Sequence, residues 1–567
     1  MMIDRMALYT VAYFSMEIAL DNQMPTYSGG LGVLAGDLLR SAADLGLPIV
    51  GVSLLHRKGY FLQNLDAEGR QSEAPVAWTV HDFLQPMDAT CQIEIEGRPV
   101  TVRAWRYVIQ GAGAAEISVF FLDTDVPGND AFDRTLTDHL YGGDEHYRLC
   151  QEVVLGVGGI RMLRALGYKD IERFHMNEGH AALLALELFT DELERTSQAR
   201  EEAIERVKRR CVFTTHTPVT AGHDQFSLDL ARQVLSREQV RALQILGCCD
   251  SSLNMTFVGL QLSHYVNGVA KRHGELSRSM FPGYPISSIT NGVHSATWTA
   301  PAFRTLYDQY IPDWRLDSFS LRYAVGIPLH AIWQAHEQAK HRLVDEVNRQ
   351  VNAGFDPDAF TLGFARRATA YKRPNLLFHD IERLRSIAKC HGGLQLIYAG
   401  KAHPKDEYGK GLIYQIVQHG KELGAEIKLA YLPNYDMASG QLLTAGVDVW
   451  LNTPEPPYEA SGTSGMKAAH NGVPSLSVLD GWWLEGHAED VTGWAIGDRE
   501  RSIASGPRHE DDAQDLYYKL EAKILPVYQE GPMRWAEIMR YTIALNASFF
   551  NTQRMVMEYL MYAYQDR

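Results

Sequence analysis

The chain has little of several things that mark common protein classes. No run of eighteen apolar residues occurs in its 567 residues, so no membrane-spanning helix is expected. The opening, MMIDRMALYTVAYFSMEIAL, lacks the continuous apolar core of a secretory signal. Cysteine is scarce, and Cys91, Cys150, Cys211, Cys248, Cys249 and Cys390 fall in neither disulfide-framework nor zinc spacing. Both features point to a reducing, cytoplasmic setting. Positive charge is also in deficit. With 54 Lys and Arg against 69 Asp and Glu, the net charge of -15 excludes a general nucleic-acid binder but leaves room for a local basic pocket. H-E-x-x-H and G-x-G-x-x-G are both missing, which argues against a zinc hydrolase and a dinucleotide fingerprint. There is no low-complexity linker, charge block or obvious repeat.

What remains is an ordinary globular composition on a chain too long for one core, so two large domains are expected. Short apolar runs alternate with longer amphipathic ones, the pattern of parallel α/β structure. In the first half, YTVAYFS, PIVGVSLL, ISVFFLD and RCVFTTH read as strands, with helices over Val33–Leu45, Arg148–Leu166 and Ala181–Leu193. In the second half, FTLGFA, LQLIYAG, EIKLAYL, VDVWLN and VPSLSVL read as strands. Helices are expected near Pro374–Ala388, Leu412–Leu423, Met437–Ala445 and Met466–Asn471. The resulting fold class is α/β, with two Rossmann-like doubly wound domains facing a central cleft. The expected boundary follows Trp298, giving domains 1–298 and 299–567. The helical stretch Asp512–Tyr564 ends in helices (about 530–567) that pack back on the first domain.

Four groups of motifs carry chemistry. In PYEASGTSGMKAAHNG, Lys467 follows a loop of small residues just inside a predicted helix N-terminus. Positive charge is disfavoured there, so the amine gives up its proton more easily and suits a Schiff base. In FARRATAYKRPNLL, Arg366, Arg367, Lys372 and Arg373 crowd the carboxyl end of a predicted strand, where phosphate sites form. Several cations there hold two phosphates together as one cation could not. TYSGGLGVLAGDLL places Gly29, Gly30 and Gly32 at the start of a helix, which favours a polar or anionic ligand. Three further loops offer Asn177, Glu178 and His180; His216, His223 and Asp224; and Asn291, His294 and Trp298. Amides, imidazoles and carboxylates beside aromatic rings suit sugar hydroxyls better than a metal.

Taken together these segments resemble the α-glucan (glycogen, starch or maltodextrin) phosphorylases. EASGTSGMK is similar to that family's E-A-S-G-T-G-N-M-K. YFSMEIAL, SGGLG, NEGHAALLALEL, TTHTPV, ITNGV, YKR, YAGKAHP, LPNY and LDG follow the family's order along nearly the whole chain. The resemblance is to the compact bacterial and archaeal branch, and it implies a GT-B-type glycosyltransferase fold. It also implies pyridoxal 5′-phosphate (PLP) on Lys467, Arg367 and Lys372 on the substrate phosphate, and Arg366, Thr463, Ser464 and Gly465 at the cofactor phosphate. Tyr435 and Trp298 would pack around the cofactor. Gly30, Leu31, Gly32, His216, Asn291, Glu459, Ser461 and Gly462 would bind the reacting glucose. The implied reaction is reversible phosphorolysis of α-1,4-glucan to α-D-glucose 1-phosphate with retention, by a cytoplasmic enzyme, with a homo-oligomer (dimer) as the expected assembly. Three departures from the pattern matter: Asp436 and Arg366 stand for an arginine and a lysine, and Gly465 for an asparagine. The alternatives are a sugar-nucleotide-dependent glucosyltransferase of the same architecture and an inactive glucan-binding protein.

Overall fold

The computed structural model describes residues 10–196, 200–219, 222–247, 251–498 and 508–565. Cys248 and Cys249 lie outside the described residues. The chain divides into two compact units. One comprises Met1–Phe61, Pro75–Ile289 and Met555–Arg567, and the other Leu62–Ala74 and Thr290–Arg554.

The first unit is built on a nine-stranded sheet. Its strands are β1 (Val11–Ser15), β2 (Ile49–Leu54), β3 (Gln85–Ile95), β4 (Arg98–Gln110), β5 (Glu116–Asp123), β6 (Arg173–Asn177), β7 (Cys211–Thr214), β8 (Tyr265–Gly268) and β9 (Ser287–Ser288). They lie in the order β9-β8-β7-β6-β1-β2-β5-β4-β3. Pairing is parallel from β9 to β5, and β4 and β3 add an antiparallel edge. Alternate residues of VAYFS enter two separate cores: Ala12 and Phe14 on one face, Val11 and Tyr13 on the other. A strand covered on both faces reads as an unbroken apolar run, which is why the central strands stand out in the sequence. The β3–β4 hairpin instead alternates buried with exposed residues and was not anticipated.

The second unit carries an all-parallel sheet of β10 (Thr361–Ala365), β11 (Leu394–Ala399), β12 (Ile427–Leu432), β13 (Val449–Asn452), β14 (Ser475–Val478) and β15 (Gly493–Ile496). Their order is β12-β11-β10-β13-β14-β15, so the winding reverses between β10 and β13. In the first unit the reversal falls between β6 and β1. Ligands of open α/β sheets bind at the carboxyl ends of strands flanking such a reversal.

One expected element is corrected. Pro374–Ala388 is not one helix: a short 3₁₀ turn spans Leu376–Phe378, and the α-helix runs Ile381–Cys390. Asp380 sets this start, because its carboxylate accepts the Arg383 N–H at 2.9 Å as a helix cap. The expected C-terminal helices are present. Met555–Arg567 belongs to the first unit, where Tyr559 and Tyr564 meet Thr214 and His175 at 3.0 and 2.7 Å. No helix among the described residues is long and apolar enough to cross a membrane.

Candidate active site

At the reversal of the second sheet, the loop after β10 carries the cation cluster and the loop after β13 carries Glu459. Arg366 begins where β10 ends, and its guanidinium reaches Glu459 Oε2 at 2.8 Å. Lys372 Nζ reaches the same oxygen at 2.5 Å. All three side chains are about nine-tenths buried. Glu459 is held down to about 2: burial raises it, but Arg366 and Lys372 more than offset that. The Glu459 N–H donates to Asp480 at 2.9 Å, and burial together with the Glu459 charge pushes Asp480 up to about 7. Two cations thus converge on one carboxylate, leaving an excess of positive charge in buried surroundings, the electrostatic requirement for an incoming anion.

The other two basic residues of the cluster differ in exposure. Arg367 is exposed. Arg373, at φ 45°, turns into the core, donating to the carbonyls of Thr453 and Pro454 at 2.9 and 2.8 Å and pairing with Asp512 at 2.8 Å. It braces the loop and is withdrawn from the ligand site.

Lys467 lies in the short helix Ser464–Ala469, buried, with its Nζ 3.7 Å from the centre of the Trp298 ring. Asn471 fixes that pair by donating to the carbonyls of both Trp298 (2.8 Å) and Lys467 (3.1 Å). Tyr435 joins the same wall: a Cβ placed on Gly440 would lie 2.8 Å from its hydroxyl and 3.5 Å from the Trp298 ring. Upstream, Ser461 and Gly462 turn the chain, with Gly462 at φ +73° and the Ser461 carbonyl accepting the Trp482 N–H at 2.8 Å. Thr463 caps the helix without a side-chain bond, and Ser464 accepts from the Trp450 indole at 3.0 Å. The first-turn N–H groups of Ser464, Gly465 and Met466 have no partner within the helix. Gly465 fits only as glycine, because a Cβ there would come within 2.7 Å of the Trp482 ring. Asn291 leaves its buried Oδ1 without a hydrogen-bond partner, and a hydroxyl group would satisfy it.

In the first unit, Gly30, Leu31 and Gly32 open the helix Gly30–Asp44. The residue that shapes this turn, Glu17, was missed in the sequence. Its Oε2 accepts the N–H groups of Ser28 and Gly29 at 2.6 and 3.2 Å, and Oε1 accepts the Tyr141 hydroxyl at 3.0 Å. Gly32 is needed for this approach, since a Cβ would lie 2.7 Å from Glu17 Oε2. Two of the three polar loops come together around His216. Its ring Nε2 meets Asn177 Oδ1 at 2.6 Å and its N–H donates to Glu178 at 2.6 Å. Burial lowers the His216 imidazole to about 4 against the pull of Glu178, so it is neutral at pH 7 and its Nε2 is the donor to the amide oxygen. Arg148 links His180 and Asp224, at 3.1 and 3.0 Å. The third loop, with Asn291, His294 and Trp298, belongs to the second unit. Among the described residues no group of three His, Cys, Asp or Glu side chains could hold a metal ion.

The fold and sites thus define an α/β protein with a buried lysine, a cation cluster paired on one buried carboxylate, and loops rich in polar side chains. A profile of the family described as carbohydrate phosphorylase matches residues 236–521. The chain is 37% identical to the maltodextrin phosphorylase of Thermococcus litoralis, over 97% of this chain and 70% of that one. It is 36% identical to the glycogen phosphorylase of Mycobacterium tuberculosis, over 98% and 70%. It is 34% identical to the glycogen phosphorylase of Aquifex aeolicus, over 97% and 85%. The chain belongs to the carbohydrate phosphorylase family.

Proposed function

We propose that this chain is an α-1,4-glucan phosphorylase. It removes the non-reducing terminal glucose of glycogen or maltodextrin with inorganic phosphate and gives α-D-glucose 1-phosphate, reversibly and with retention. The observation that carries this reading is the pairing, in one unit, of Lys467 buried against Trp298 with Arg366 and Lys372 converging on Glu459. Relatives named maltodextrin and glycogen phosphorylase support the substrate class. On this reading the two units form a GT-B arrangement, with the unit built on β1–β9 on the glucan side and the unit that carries Lys467 on the cofactor and phosphate side. The enzyme works in the cytoplasm, as a dimer.

The residues fit pyridoxal 5′-phosphate. Lys467 presents a buried amine on an aromatic wall of Trp298 and Tyr435. Thr463, Ser464 and Gly465 open a helix turn, and the glycine leaves no side chain over it. Lys467 would hold the aldehyde carbon, while the N–H groups of that turn and Arg366 would hold the phosphate. When bound, the cofactor supplies a phosphoryl group that can exchange a proton with the substrate phosphate.

The chain's own residues supply binding and orientation. Lys372 and Arg367 would bind inorganic phosphate, with Glu459 yielding its ion pair and turning to glucose hydroxyls. The backbone of Ser461 and Gly462 and the orphan Asn291 oxygen accept further hydroxyl protons. His216, neutral and aimed by Asn177, offers an uncharged hydrogen bond in which its orientation is fixed. The Gly30–Leu31–Gly32 backbone, set by Glu17, lines the sugar. The glycosidic oxygen takes a proton from the bound phosphate as the bond breaks. A phosphate oxygen then attacks the anomeric carbon from the same face, which gives retention. Electrostatics and position would supply most of the acceleration, with no carboxylate pair required.

The test combines the absorbance spectrum of the purified protein, borohydride reduction with mapping of the labelled peptide, and a phosphorolysis assay on maltodextrin. A pyridoxyl group on Lys467 and release of glucose 1-phosphate are expected, both abolished in Lys467→Ala. A colourless protein, or one that transfers glucose only from a sugar nucleotide, overturns the reading.

A further inference from the structure

Tyr458 lies in the loop that follows β13, next to the buried Glu459, yet it is 37% exposed while Glu459 is 8% exposed. Its backbone is held on both sides. The Tyr458 N–H donates to the Glu455 carbonyl at 2.9 Å, and the next N–H, that of Glu459, donates to Asp480 at 2.9 Å. The ring is braced edge-on by Tyr371, with centroids 6.5 Å apart and planes at 79°. Tyr371 in turn stands 4.5 Å from Lys372 Nζ, and its carbonyl accepts the Glu455 N–H at 2.7 Å. The two loops that carry the cation cluster and its carboxylate are therefore tied together beneath a pair of aromatic rings. An exposed ring next in sequence to a buried, charged cluster offers a flat apolar surface beside strong hydrogen-bonding groups. Sugar rings present the matching surface, apolar C–H faces edged by hydroxyls.

We propose that Tyr458 is a specificity-determining residue that packs its exposed face on a sugar ring of the α-glucan, with Tyr371 as the residue that positions it. This rests on the glucan reading above. A ring that merely shielded the Lys372–Glu459 pair from water would act on phosphate and glucan alike, whereas a stacking ring acts on the glucan alone. The discriminating experiment uses the full-length holoenzyme as wild type, Tyr458→Phe and Tyr458→Ala. It measures KM for maltoheptaose and for inorganic phosphate, and maltoheptaose binding by calorimetry without phosphate. Loss of one aromatic stacking contact predicts about a threefold to tenfold weaker glucan KM and binding for Tyr458→Ala. The phosphate KM should stay within about twofold, and Tyr458→Phe, which retains the ring, should recover glucan affinity. Tyr371→Leu, which keeps the Tyr458 ring but removes its brace, should weaken glucan binding in the same direction. A glucan KM within about twofold of wild type in Tyr458→Ala, or an equal rise in both KM values, overturns the proposal. The calorimetric arm separates the two readings: a wild type that binds maltoheptaose without phosphorolysing it refutes the phosphorylase reading and leaves Tyr458 to be judged by binding.

Discussion

Glu459→Gln isolates the electrostatics of the site, because it removes the carboxylate shared by Arg366 and Lys372 while keeping its shape. Glu459 is 8% exposed, and both cations sit on one oxygen at 2.8 and 2.5 Å. A carboxyl held from 4.5 down to about 2 contributes about 3 kcal/mol at neutral pH. That agrees with the roughly 3–5 kcal/mol lost when one partner of a buried ion pair is removed. At about 2–4 °C per kcal/mol for a unit of this size, Tm falls by roughly 6–12 °C. The sign with pH follows from a depressed value: the stabilisation is present above 4.5 and is lost as pH falls towards 2. Wild type and variant should therefore differ most near neutrality and draw together as the solution is acidified. The variant leaves two buried cations without their anion, so inorganic phosphate should restore its Tm more steeply than that of wild type, by about 2.7 kcal/mol at a hundred times its Kd. Circular-dichroism melts from pH 7 downward, with and without phosphate, read both effects. A neutral-pH Tm within about 1 °C of wild type, or phosphate responses of equal slope, would refute the cation-cluster argument.

Two other perturbations follow. Gly32→Ala drives a methyl to 2.7 Å from both Glu17 Oε2 and Tyr27 Cβ, so it should cost about 1–3 kcal/mol as a lower urea midpoint with unchanged slope. Gly30→Ala, with nothing within 4 Å, should leave the midpoint unmoved or slightly raised, and equal losses in the two variants would contradict the close approach. Asp480, raised from 3.8 to about 7 by burial and the Glu459 charge, keeps its proton in the folded state after the unfolded chain has lost it. Its contribution is full below 3.8 and is lost as pH rises through about 7, so unfolding free energy should decline across that window by up to about 4 kcal/mol. Asp480→Asn, which cannot ionise, should flatten that decline in urea titrations at stepped pH, and an unaltered slope would assign it to other groups.

Much of the fold was legible because buried parallel strands are written as apolar runs. FTLGFA, LQLIYAG, EIKLAYL and VDVWLN each become a strand of the second sheet, as do YTVAYFS and PIVGVSLL in the first. What escaped was whatever lacks that pattern. RFHMN is a fully buried central strand, but its Arg173, His175 and Asn177 break the apolar run. The β3–β4 hairpin has one solvated face. The basic cluster was legible as composition but not as geometry, since spacing alone cannot say that Arg373 turns inward to Asp512 while Arg366 and Lys372 meet Glu459. Glu17, Asn471 and Asp480 were invisible for a related reason. Each acts by accepting or donating backbone hydrogen bonds across distant segments, and such a role leaves no local motif. A carboxylate in YFSMEIAL, between apolar residues just past a strand, was the available signal for Glu17, because a charge there must be bonded to be buried.

The positions at which this chain departs from the phosphorylase pattern have local physical causes in the structure. Gly465 has no room for an asparagine, because the Trp482 ring already occupies the space a Cβ would enter at 2.7 Å, with the Ser475 hydroxyl at 3.0 Å. The ring packs against the lysine loop where a polar side chain would otherwise stand, and the Trp482 N–H bonds the Ser461 carbonyl at 2.8 Å in the same loop. Asp436 caps the helix Met437–Gly446, accepting the Ser439 N–H at 2.8 Å and its hydroxyl at 2.7 Å, a role that an arginine cannot fill. Its charge also bears on Lys401, whose amine stands at about 8, lowered by burial against the upward pull of Asp436. Arg366 keeps the charge of the lysine it replaces, and its planar guanidinium reaches Glu459 from a strand end while Lys372 approaches from the following turn. At Gly465 and Asp436 the substituted residue meets a constraint of packing or helix capping. At Arg366 the charge is kept. The Lys467–Trp298 pair and the Glu459 cluster stand beside these changes with their contacts formed, so the departures alter how the loop is held and leave those contacts in place.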